Sequence, residues 1–357
     1  MAKCFLIILN GDYVRNGELK NDEVLSVLNV TAQARAMEHV DVRPLMAEAK
    51  RIKELNDIPV ADIADLTCWP NKADRCGCTD ASYQDLPDYS VFDLARISRT
   101  DVSRLLRKDI ATIDAMKPRS IKFSQQQSIQ IVLTQKKMRR VDSVKLQIEL
   151  TKLKYPLYFL DYETYNFALP RLDGLKAYQQ YVFQYSLHVL ASPESELEHF
   201  EFLADEISQD SLDSLASSLR AVIKDDDGSV IVWHRQFEES RNDELGRLLP
   251  EYRQFFQDIN RRVFDLEKVF KQQCFMDYQF KGRTSIKAIL PILCPKFSYT
   301  DLAVQNGAAA MDTWYQWVQG DRESQTKGDL LAYCELDTLA MVEILKVLHA
   351  NADRESV

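Results

Sequence analysis

The chain has 357 residues, of which 46% are hydrophobic and 28% charged, which is enough for a large core and excludes a fibrous or disordered protein. Its net charge of −9 excludes binding to nucleic acid or anionic membrane through bulk charge, although a local basic patch would still hold a nucleic-acid strand. No apolar run reaches the roughly 20 residues of a membrane span, and no secretory leader is recognisable. The seven scattered cysteines do not resemble a disulfide framework. We therefore expect a cytoplasmic protein without a membrane partner.

Residues 1–150 are predicted to form a mainly helical domain. Its opening segment, CFLIILNGDYVRNGEL (residues 4–19), predicts two short strands joined by a turn at Asn10-Gly11. The other predicted elements are a helix from residue 42 to about residue 55, a loop over 68–88, a helix capped by Thr100-Asp101, and a helix over 124–150.

One segment of this half, residues 117–154, is strongly basic. It contains ten Lys or Arg residues and only two acids, Asp142 and Glu149. Two interpretations stay open: a solvated helix face, and a surface that follows a phosphate backbone beside a nuclease site.

Residues 151–357 are predicted to form a second domain of the α/β class. Residues 179–190 alternate in polarity, with Gln184, Ser186 and His188 on one face, which is the period-two pattern of a strand. The remaining predicted strands cover 155–160, 198–203 and 228–234, and the predicted helices cover 211–223, 237–249 and 329–349. This order favours a mixed sheet flanked by helices.

Four acidic residues stand in these predicted elements at positions where their carboxylates could meet in one site. Asp161 and Glu163 end the first strand and, at spacing i, i+2, point to the same face. Glu238 begins the helix after the strand SVIVWH, and Asp337 lies in the last helix with Tyr333 one turn before it on the same face. Each pattern alone is common, but their order and context favour one shared site.

Carboxylates that converge from a strand, a helix start and a late helix would form a hard-oxygen site for Mg²⁺ or Mn²⁺. Two such ions about 4 Å apart would activate a water and stabilise the leaving oxygen of a phosphodiester. Tyr333 would then orient the attacking water or help to deprotonate it.

Three motifs carry a resemblance to a known class of enzyme. LDYET (160–164), WHRQFEE (233–239) and YCELD (333–337) resemble the Asp-x-Glu, Asn-x-x-Phe-Asp and Tyr-x-x-x-Asp motifs of ribonuclease H-like exonucleases of the DEDD type, Tyr subclass. The chain resembles still more closely the bacterial domain-of-unknown-function family numbered 2779. The supporting strings are PLYFLDYETY (156–165), FQYSLH (183–188), GRTSIKAILPIL (282–293), FSYTDLAVQNG (297–307) and YCELDTLAMVEIL (333–345).

The resemblance implies a ribonuclease H-like fold and a 3′–5′ exonuclease that hydrolyses DNA or RNA with two Mg²⁺ or Mn²⁺ ions. Asp161, Glu163, Glu238 and Asp337 would bind the metal, and Tyr333 would complete the catalytic set. Two residues depart from the exonuclease pattern, because Glu238 stands where Asp is expected and His234 stands where Asn is frequent.

Further residues are candidates for contacts with the nucleic acid. Arg283, Ser285 and Lys287 lie where a loop enters a helix and would hold a phosphate at that helix start, although an ordinary capped helix fits equally well. His234 is either a substrate contact or a structural residue at the end of its strand.

The first half resembles the closing part of a RecB-type nuclease with an iron–sulfur cluster, without that enzyme's catalytic motif. We therefore expect this half to be catalytically silent. Cys68, Cys76 and Cys78 lie where such a nuclease carries cluster ligands, but their C-x₇-C-x-C spacing is unusual and a fourth ligand is missing. Unmetallated thiols or a degenerate site are favoured over a zinc or iron–sulfur centre.

The sequence thus predicts a metal-dependent nuclease as the first hypothesis. The alternative is a catalytically inactive module of the same fold that binds nucleic acid or a protein partner. A third hypothesis, a zinc or iron–sulfur protein, depends on the three cysteines alone.

Overall fold

A computed structural model describes residues 3–37, 40–54, 89–117, 120–320 and 322–353 of the chain. Cys68, Cys76, Cys78 and the loop predicted around them lie outside these described residues. The chain divides into two compact units. The first unit comprises Met1–Cys4, Asn29–Arg140 and Met276–Arg283, and the second unit comprises Phe5–Leu28, Val141–Phe275 and Thr284–Val357.

The elements are numbered in chain order. The strands are β1 (Phe5–Leu9), β2 (Leu25–Asn29), β3 (Arg139–Val141), β4 (Leu157–Asn166), β5 (Gln180–Leu190), β6 (Leu197–Leu203), β7 (Val230–Val232), β8 (Val263–Asp265) and β9 (Phe275–Asp277). The helices are α1 (Asn21–Val24), α2 (Thr31–Ala36), α3 (Arg43–Lys53), α4 (Arg99–Leu106), α5 (Gln125–Lys136), α6 (Ser143–Leu150), α7 (Gln209–Val222), α8 (Arg235–Leu248), α9 (Arg253–Arg262), α10 (Glu267–Lys271), α11 (Ile286–Leu293), α12 (Gly307–Gln319) and α13 (Ser324–Ala352). Short 3₁₀ turns cover Val91–Asp93, Pro250–Tyr252, Tyr278–Phe280 and Tyr299–Asp301.

The first unit has a small hydrophobic core of its own. Its buried members are Val91, Phe92, Leu94, Val102, Leu105, Ile113, Met116 and Ile131. Two helices that contribute to this core begin at serine caps: the Ser98 hydroxyl accepts from the Asp101 amide, and the Ser124 hydroxyl accepts from the Gln127 amide. Such caps satisfy first-turn amides that have no partner inside the helix.

Three predictions for the first 150 residues are wrong in detail. The cap predicted at Thr100-Asp101 is formed by Ser98, so Thr100 and Asp101 lie inside α4. The strand β1 pairs with β2 rather than with the segment directly after Asn10-Gly11, so helix α1 lies between the two paired strands. The single helix predicted over 124–150 is instead α5, strand β3 and α6, because Lys137 adopts the left-handed conformation at the end of α5 and Asp142 caps α6.

The second unit is built on a five-stranded mixed sheet in the order β6-β5-β4-β7-β8. Strand β5 is antiparallel to both β4 and β6, whereas β7 is parallel to β4 and β8 is parallel to β7. The short strand β7 is buried along its whole length, as expected for a parallel strand covered on both faces. The predicted mixed α/β sheet is therefore confirmed.

One face of this sheet is polar and nevertheless buried. In the register of β4 with β5, Asp161 lies opposite Ser186 and Glu163 lies opposite Gln184, so these four side chains share a face. Helix α13 covers that face, and the Gln184 Nε2 donates to the carbonyl oxygen of Leu330 at 2.9 Å. The polar side of β5 thus faces a helix and not solvent.

The opposite face of the sheet packs on α7 and α8. The Tyr162 hydroxyl donates to Asn242 Oδ1 at 2.9 Å, and the Tyr185 hydroxyl donates to Ser218 Oγ at 3.0 Å. An apolar side of α7 and a largely polar side of α8 are buried against this face, and the buried residues of α8 include Glu238 in its first turn.

A β-bulge interrupts β4 at the point where the acidic residues end. The register with β5 shifts between Glu163 and Thr164, which turns the last part of the strand. Beyond the bulge, Trp314 of α12 stacks on Phe183 with ring centroids 4.3 Å apart and is fully buried. Helix α12 is thereby held across the end of β4.

No helix in the described ranges is both long enough and apolar enough to cross a membrane.

Candidate functional site

The middle of β4 brings Asp161 and Glu163 to one position beneath α13. The prediction that these acids end the strand is wrong, because β4 continues to Asn166. Asp161 is half-buried, and the Glu163 side chain is 8% exposed. One carboxylate oxygen of each and the Cys334 sulfur lie within 4.8 Å of one another. The predicted i, i+2 placement of the two acids on one face is confirmed by the strand register.

Glu238 reaches this group from the first turn of α8. Its side chain is 2% exposed, and its Oε2 has no hydrogen-bond partner among the described residues. A buried carboxylate oxygen without a partner costs free energy in the protein alone, because it loses water and gains no donor. Burial raises the pKa of Glu238 well above its usual value, and the charge of Glu163 raises it further.

Helix α13 supplies the last two predicted residues. Tyr333 and Asp337 are both buried and one turn apart, on the face turned toward β4. The Tyr299 hydroxyl donates to Asp337 Oδ1 at 2.5 Å and fixes the direction of that carboxylate. Sequence reasoning missed Tyr299, which lies in a short 3₁₀ turn without periodic pattern.

A single lysine faces the site from α11. The Lys287 Nζ donates to the Tyr333 hydroxyl oxygen at 2.9 Å and to the carbonyl oxygen of Gln305 at 2.9 Å. It also lies over the Tyr299 and Tyr333 rings, 5.1 Å and 4.8 Å from their centroids. Lys287 was expected to contact a phosphate at the helix start, and the structure places it beside the catalytic candidates themselves.

Two further features border the carboxylates. The thiol of Cys334 lies 3.9 Å from both the carbonyl oxygen and Oδ2 of Asp161. A Cβ on Gly307, the first residue of α12, would lie 3.8 Å from Glu163 Oε2, so the amino end of α12 approaches this carboxylate. Both residues lie inside strings that carry the family resemblance, but neither was predicted to border the site.

Burial raises the pKa of every carboxyl group in the site, and repulsion from neighbouring acids adds to this at Asp161, Glu163 and Glu238. The pKa of Glu163 rises to about 8, first because burial disfavours its charge and then because Asp337 is negative. The pKa of Asp161 rises well above its usual value through burial and the charges of Asp337, Glu238 and Glu163. Four acids from three elements therefore share one region of negative potential.

Hydrogen bonds moderate this effect at Asp337. Burial raises its pKa to about 6, while the hydroxyl of Tyr299, the charge of Lys287 and the hydroxyl of Tyr333 lower it. Burial and the adjacent carboxylates raise the pKa of Tyr333 far above its ordinary value. The Tyr333 phenol is therefore protonated at neutral pH and acts as a hydrogen-bond donor.

The other predicted substrate contacts lie at the surface. His234 is the residue before α8, and Ser285 is the residue before α11; both are exposed, as is Arg283 at the end of the first unit. Their proposed contacts with nucleic acid stay predictions.

The basic segment is partly neutralised by ion pairs. Lys145 pairs with Asp142 at 3.3 Å, and Lys152 pairs with Glu149 at 2.6 Å. Arg139 lies 2.8 Å from Asp277. The segment spans both units, and its use as a phosphate-binding surface stays a prediction.

Comparison with known proteins gives relatives without an assigned function. A family model described as "Domain of unknown function (DUF2779)" matches residues 158–285, which include Asp161, Glu163 and Glu238 but end before α11 and α13. The chain is 28% identical over 214 residues to "Uncharacterized protein MG366 homolog" of Mycoplasma pneumoniae, with 54% of this chain and 32% of the relative covered. It therefore spans about a third of that relative. No solved structure matches the chain.

Proposed function

We propose that the second unit is a ribonuclease H-like nuclease of the DEDD type, which removes nucleotides from DNA or RNA in the 3′–5′ direction. The observation that carries this proposal is the convergence of Asp161, Glu163, Glu238 and Asp337 from a strand and two helices. The mixed sheet flanked by helices supports the fold assignment, and the three motifs support the reaction class.

The carboxylates fit a pair of hard divalent cations. Their oxygens are the ligands that Mg²⁺ and Mn²⁺ prefer, and Glu238 Oε2 is buried without a donor, as a metal ligand would be. Burial and neighbouring negative charges raise the pKa of each of these acids, and a bound cation would offset both effects. Bound Mg²⁺ or Mn²⁺ would supply an activated water and charge stabilisation at the leaving oxygen.

Tyr333 and Lys287 are assigned positioning roles. The Tyr333 oxygen accepts a hydrogen bond from Lys287 Nζ, and its proton is directed at Asp337. The hydroxyl is thereby held beside the carboxylates, where it would orient the attacking water. The raised pKa of Tyr333 argues against its use as a general base. The charge of Lys287 would also attract the phosphate backbone toward the carboxylates.

The test is degradation of single-stranded DNA and RNA oligonucleotides labelled at the 5′ end, in Mn²⁺ and in EDTA. Wild-type protein should produce a ladder that shortens from the 3′ end, and the substrate degraded identifies the nucleic acid. Asp161→Asn should abolish the ladder, while Asp213→Asn, on the exposed side of α7, should leave it unchanged.

Mn²⁺ binding is measured in parallel by the shift in thermal unfolding. An ion at 100 times its dissociation constant should stabilise the wild-type protein by about 2.7 kcal/mol and should stabilise Asp161→Asn much less. Wild-type protein that neither cleaves nucleic acid nor responds to Mn²⁺ would refute the nuclease and favour the inactive binding module.

A further inference from the structure

A second group of metal-ligating side chains lies on the same face of the sheet, away from the four carboxylates. It consists of His188 on β5, His199 on β6 and Glu335 on α13. One ligand atom of each lies within 4.8 Å of the other two. His188 and His199 are opposite each other in the register of the two strands, and their rings stack with centroids 4.4 Å apart.

Hydroxyl groups hold one nitrogen of each imidazole. The Nδ1 of His188 lies 2.8 Å from Thr338 Oγ1, and the Nε2 of His199 lies 3.0 Å from Ser186 Oγ. The two hydroxyls are themselves 2.7 Å apart, and the Thr338 hydroxyl lies 3.0 Å from the carbonyl oxygen of Glu335. All these groups are buried or half-buried beneath α13.

Only one arrangement of protons satisfies all four contacts. The carbonyl oxygen of Glu335 only accepts, so Thr338 donates its single proton there. Ser186 must then donate to Thr338, which leaves His188 Nδ1 to donate to Thr338 and His199 Nε2 to donate to Ser186.

For neutral imidazoles these contacts define the tautomer of both rings. The nitrogens left without a proton are then His188 Nε2 and His199 Nδ1, and the latter lies 3.9 Å from Glu335 Oε1. Metal-binding histidines are held in the same way, with one nitrogen donating to a neighbouring acceptor and the other facing the ion.

We propose that His188, His199 and Glu335 bind a first-row transition-metal dication, with Zn²⁺ as the best match. Two imidazole nitrogens and one carboxylate oxygen suit zinc better than magnesium or calcium, which prefer oxygen ligands throughout. Three protein ligands leave a further coordination position for water. The half-exposed Glu335 side chain gives the ion a path from solvent.

Such an ion would join the last helix to the outer strands of the sheet. Glu335 lies two residues from both Tyr333 and Asp337 on α13, so a metal bridge to β5 and β6 would fix the helix that carries them. The zinc site does not depend on the proposed nuclease activity, because its ligands and its preferred metal differ from those of the carboxylate group.

The test is a Zn²⁺ titration of metal-stripped protein against a chromophoric chelator, with Mg²⁺ in excess to fill oxygen-only sites. We expect one Zn²⁺ per chain. His199→Gln and Glu335→Gln should each weaken binding by at least about 100-fold, and Thr338→Val, which removes the group that holds His188, should weaken it by about 10- to 100-fold. Glu198→Gln, an exposed substitution on β6, is the matched control and should bind like wild type.

Asp161→Asn separates this site from the carboxylate group and should keep full Zn²⁺ affinity. The proposal is overturned if wild-type protein binds no Zn²⁺, or if His199→Gln and Glu335→Gln bind as tightly as wild type. Loss of Zn²⁺ in Asp161→Asn alone would place the ion on the carboxylates and would also overturn it. Far-ultraviolet circular dichroism establishes whether each variant is folded. If His199→Gln does not fold, Glu335→Gln, at a half-exposed position, still tests the proposal.

Discussion

Replacement of Glu163 by Gln should stabilise the metal-free protein at alkaline pH. The Glu163 carboxyl is buried beside Asp161 and Asp337, and its pKa rises from 4.5 to about 8 on folding. The folded protein therefore binds more protons than the unfolded chain between these two values. When the folded state binds more protons than the unfolded state, the free energy of unfolding falls as the pH rises. The metal-free protein should therefore lose stability between about pH 5 and about pH 8.

The size of the effect follows from the two pKa values. A tenfold change in an acid dissociation constant corresponds to about 1.4 kcal/mol. The raised pKa of Glu163 therefore lowers the free energy of unfolding by about 4 kcal/mol at pH 8 and by about 1 kcal/mol at pH 5. Gln carries no charge at either pH and keeps the shape of the side chain. The gain in the free energy of unfolding on Glu163→Gln should therefore be about 3 kcal/mol larger at pH 8 than at pH 5.

The assay is urea unfolding in EDTA at both pH values for wild type, Glu163→Gln and Glu198→Gln. The last variant makes the same chemical change at an exposed position of β6 and should behave as wild type. A Glu163→Gln protein that is destabilised equally at pH 5 and pH 8 would refute the reasoning, since it would show that the carboxylate is stabilised by its surroundings. Addition of Mn²⁺ should reverse the order at pH 8, because only the wild type gains from the ion.

Three more outcomes are expected from single substitutions. Tyr333→Phe should lower the rate of nucleotide release by about 100-fold while the Mn²⁺-induced thermal shift stays as in wild type, because it removes a positioning hydroxyl and no ligand. Lys287→Met should destabilise metal-free protein at pH 8 by about 1 kcal/mol, because Lys287 lowers the pKa of Asp161 and Asp337. For the same reason it should move the acid limb of the pH–rate profile to higher pH, and an unchanged profile would contradict this. Trp314→Ala should cost about 3–5 kcal/mol in urea unfolding through the cavity it leaves beside Phe183, and a loss below 1 kcal/mol would mean that α12 is not anchored there.

The elements that carry the candidate site were predictable because each has a short-range pattern. The apolar run before Asp161 and the spacing to Glu163 indicate a strand with two acids on one face, although the strand continues past them to Asn166. The spacing of Tyr333 and Asp337 places both on one side of a helix. Glu238 comes soon after a buried strand, at the start of an amphipathic segment, so its position in a first helical turn was also predictable.

The surroundings of the site were not predictable from the same patterns. Lys287 and Tyr299 come from a helix and a 3₁₀ turn whose packing on α13 depends on long-range contacts. The alternation of β5 indicated a strand correctly, but an alternating pattern does not tell whether its polar side meets solvent or a polar helix face. His199 lies outside the three motifs, and Glu335 occupies a variable position of the Tyr-x-x-x-Asp motif, so neither was marked as part of the polar network under α13.

Two of the errors in the first 150 residues have a common cause. The capping role of Asp142 and the left-handed Lys137 interrupt a stretch whose average composition favours helix. Similarly, Asn10-Gly11 is a strong local hairpin signal, yet β1 finds its partner more than ten residues later. In both places a local signal was outweighed by backbone conformation or by a more distant pairing.

The charge balance around the four carboxylates distinguishes them from the structural ion pairs of the same unit. Arg262 lies 2.8 Å from Asp226 and 2.7 Å from Asp258, so these two acids are neutralised by a cation that the fold supplies. Among the residues that the structure describes, the cations that lower the pKa of the four carboxyl groups are Lys287 and, at Glu238, Arg241, and the pKa of each acid remains raised. A cluster that lowers the stability of the isolated protein is expected where the missing charge arrives with a ligand. We therefore infer that these acids are retained for binding cations and not for folding.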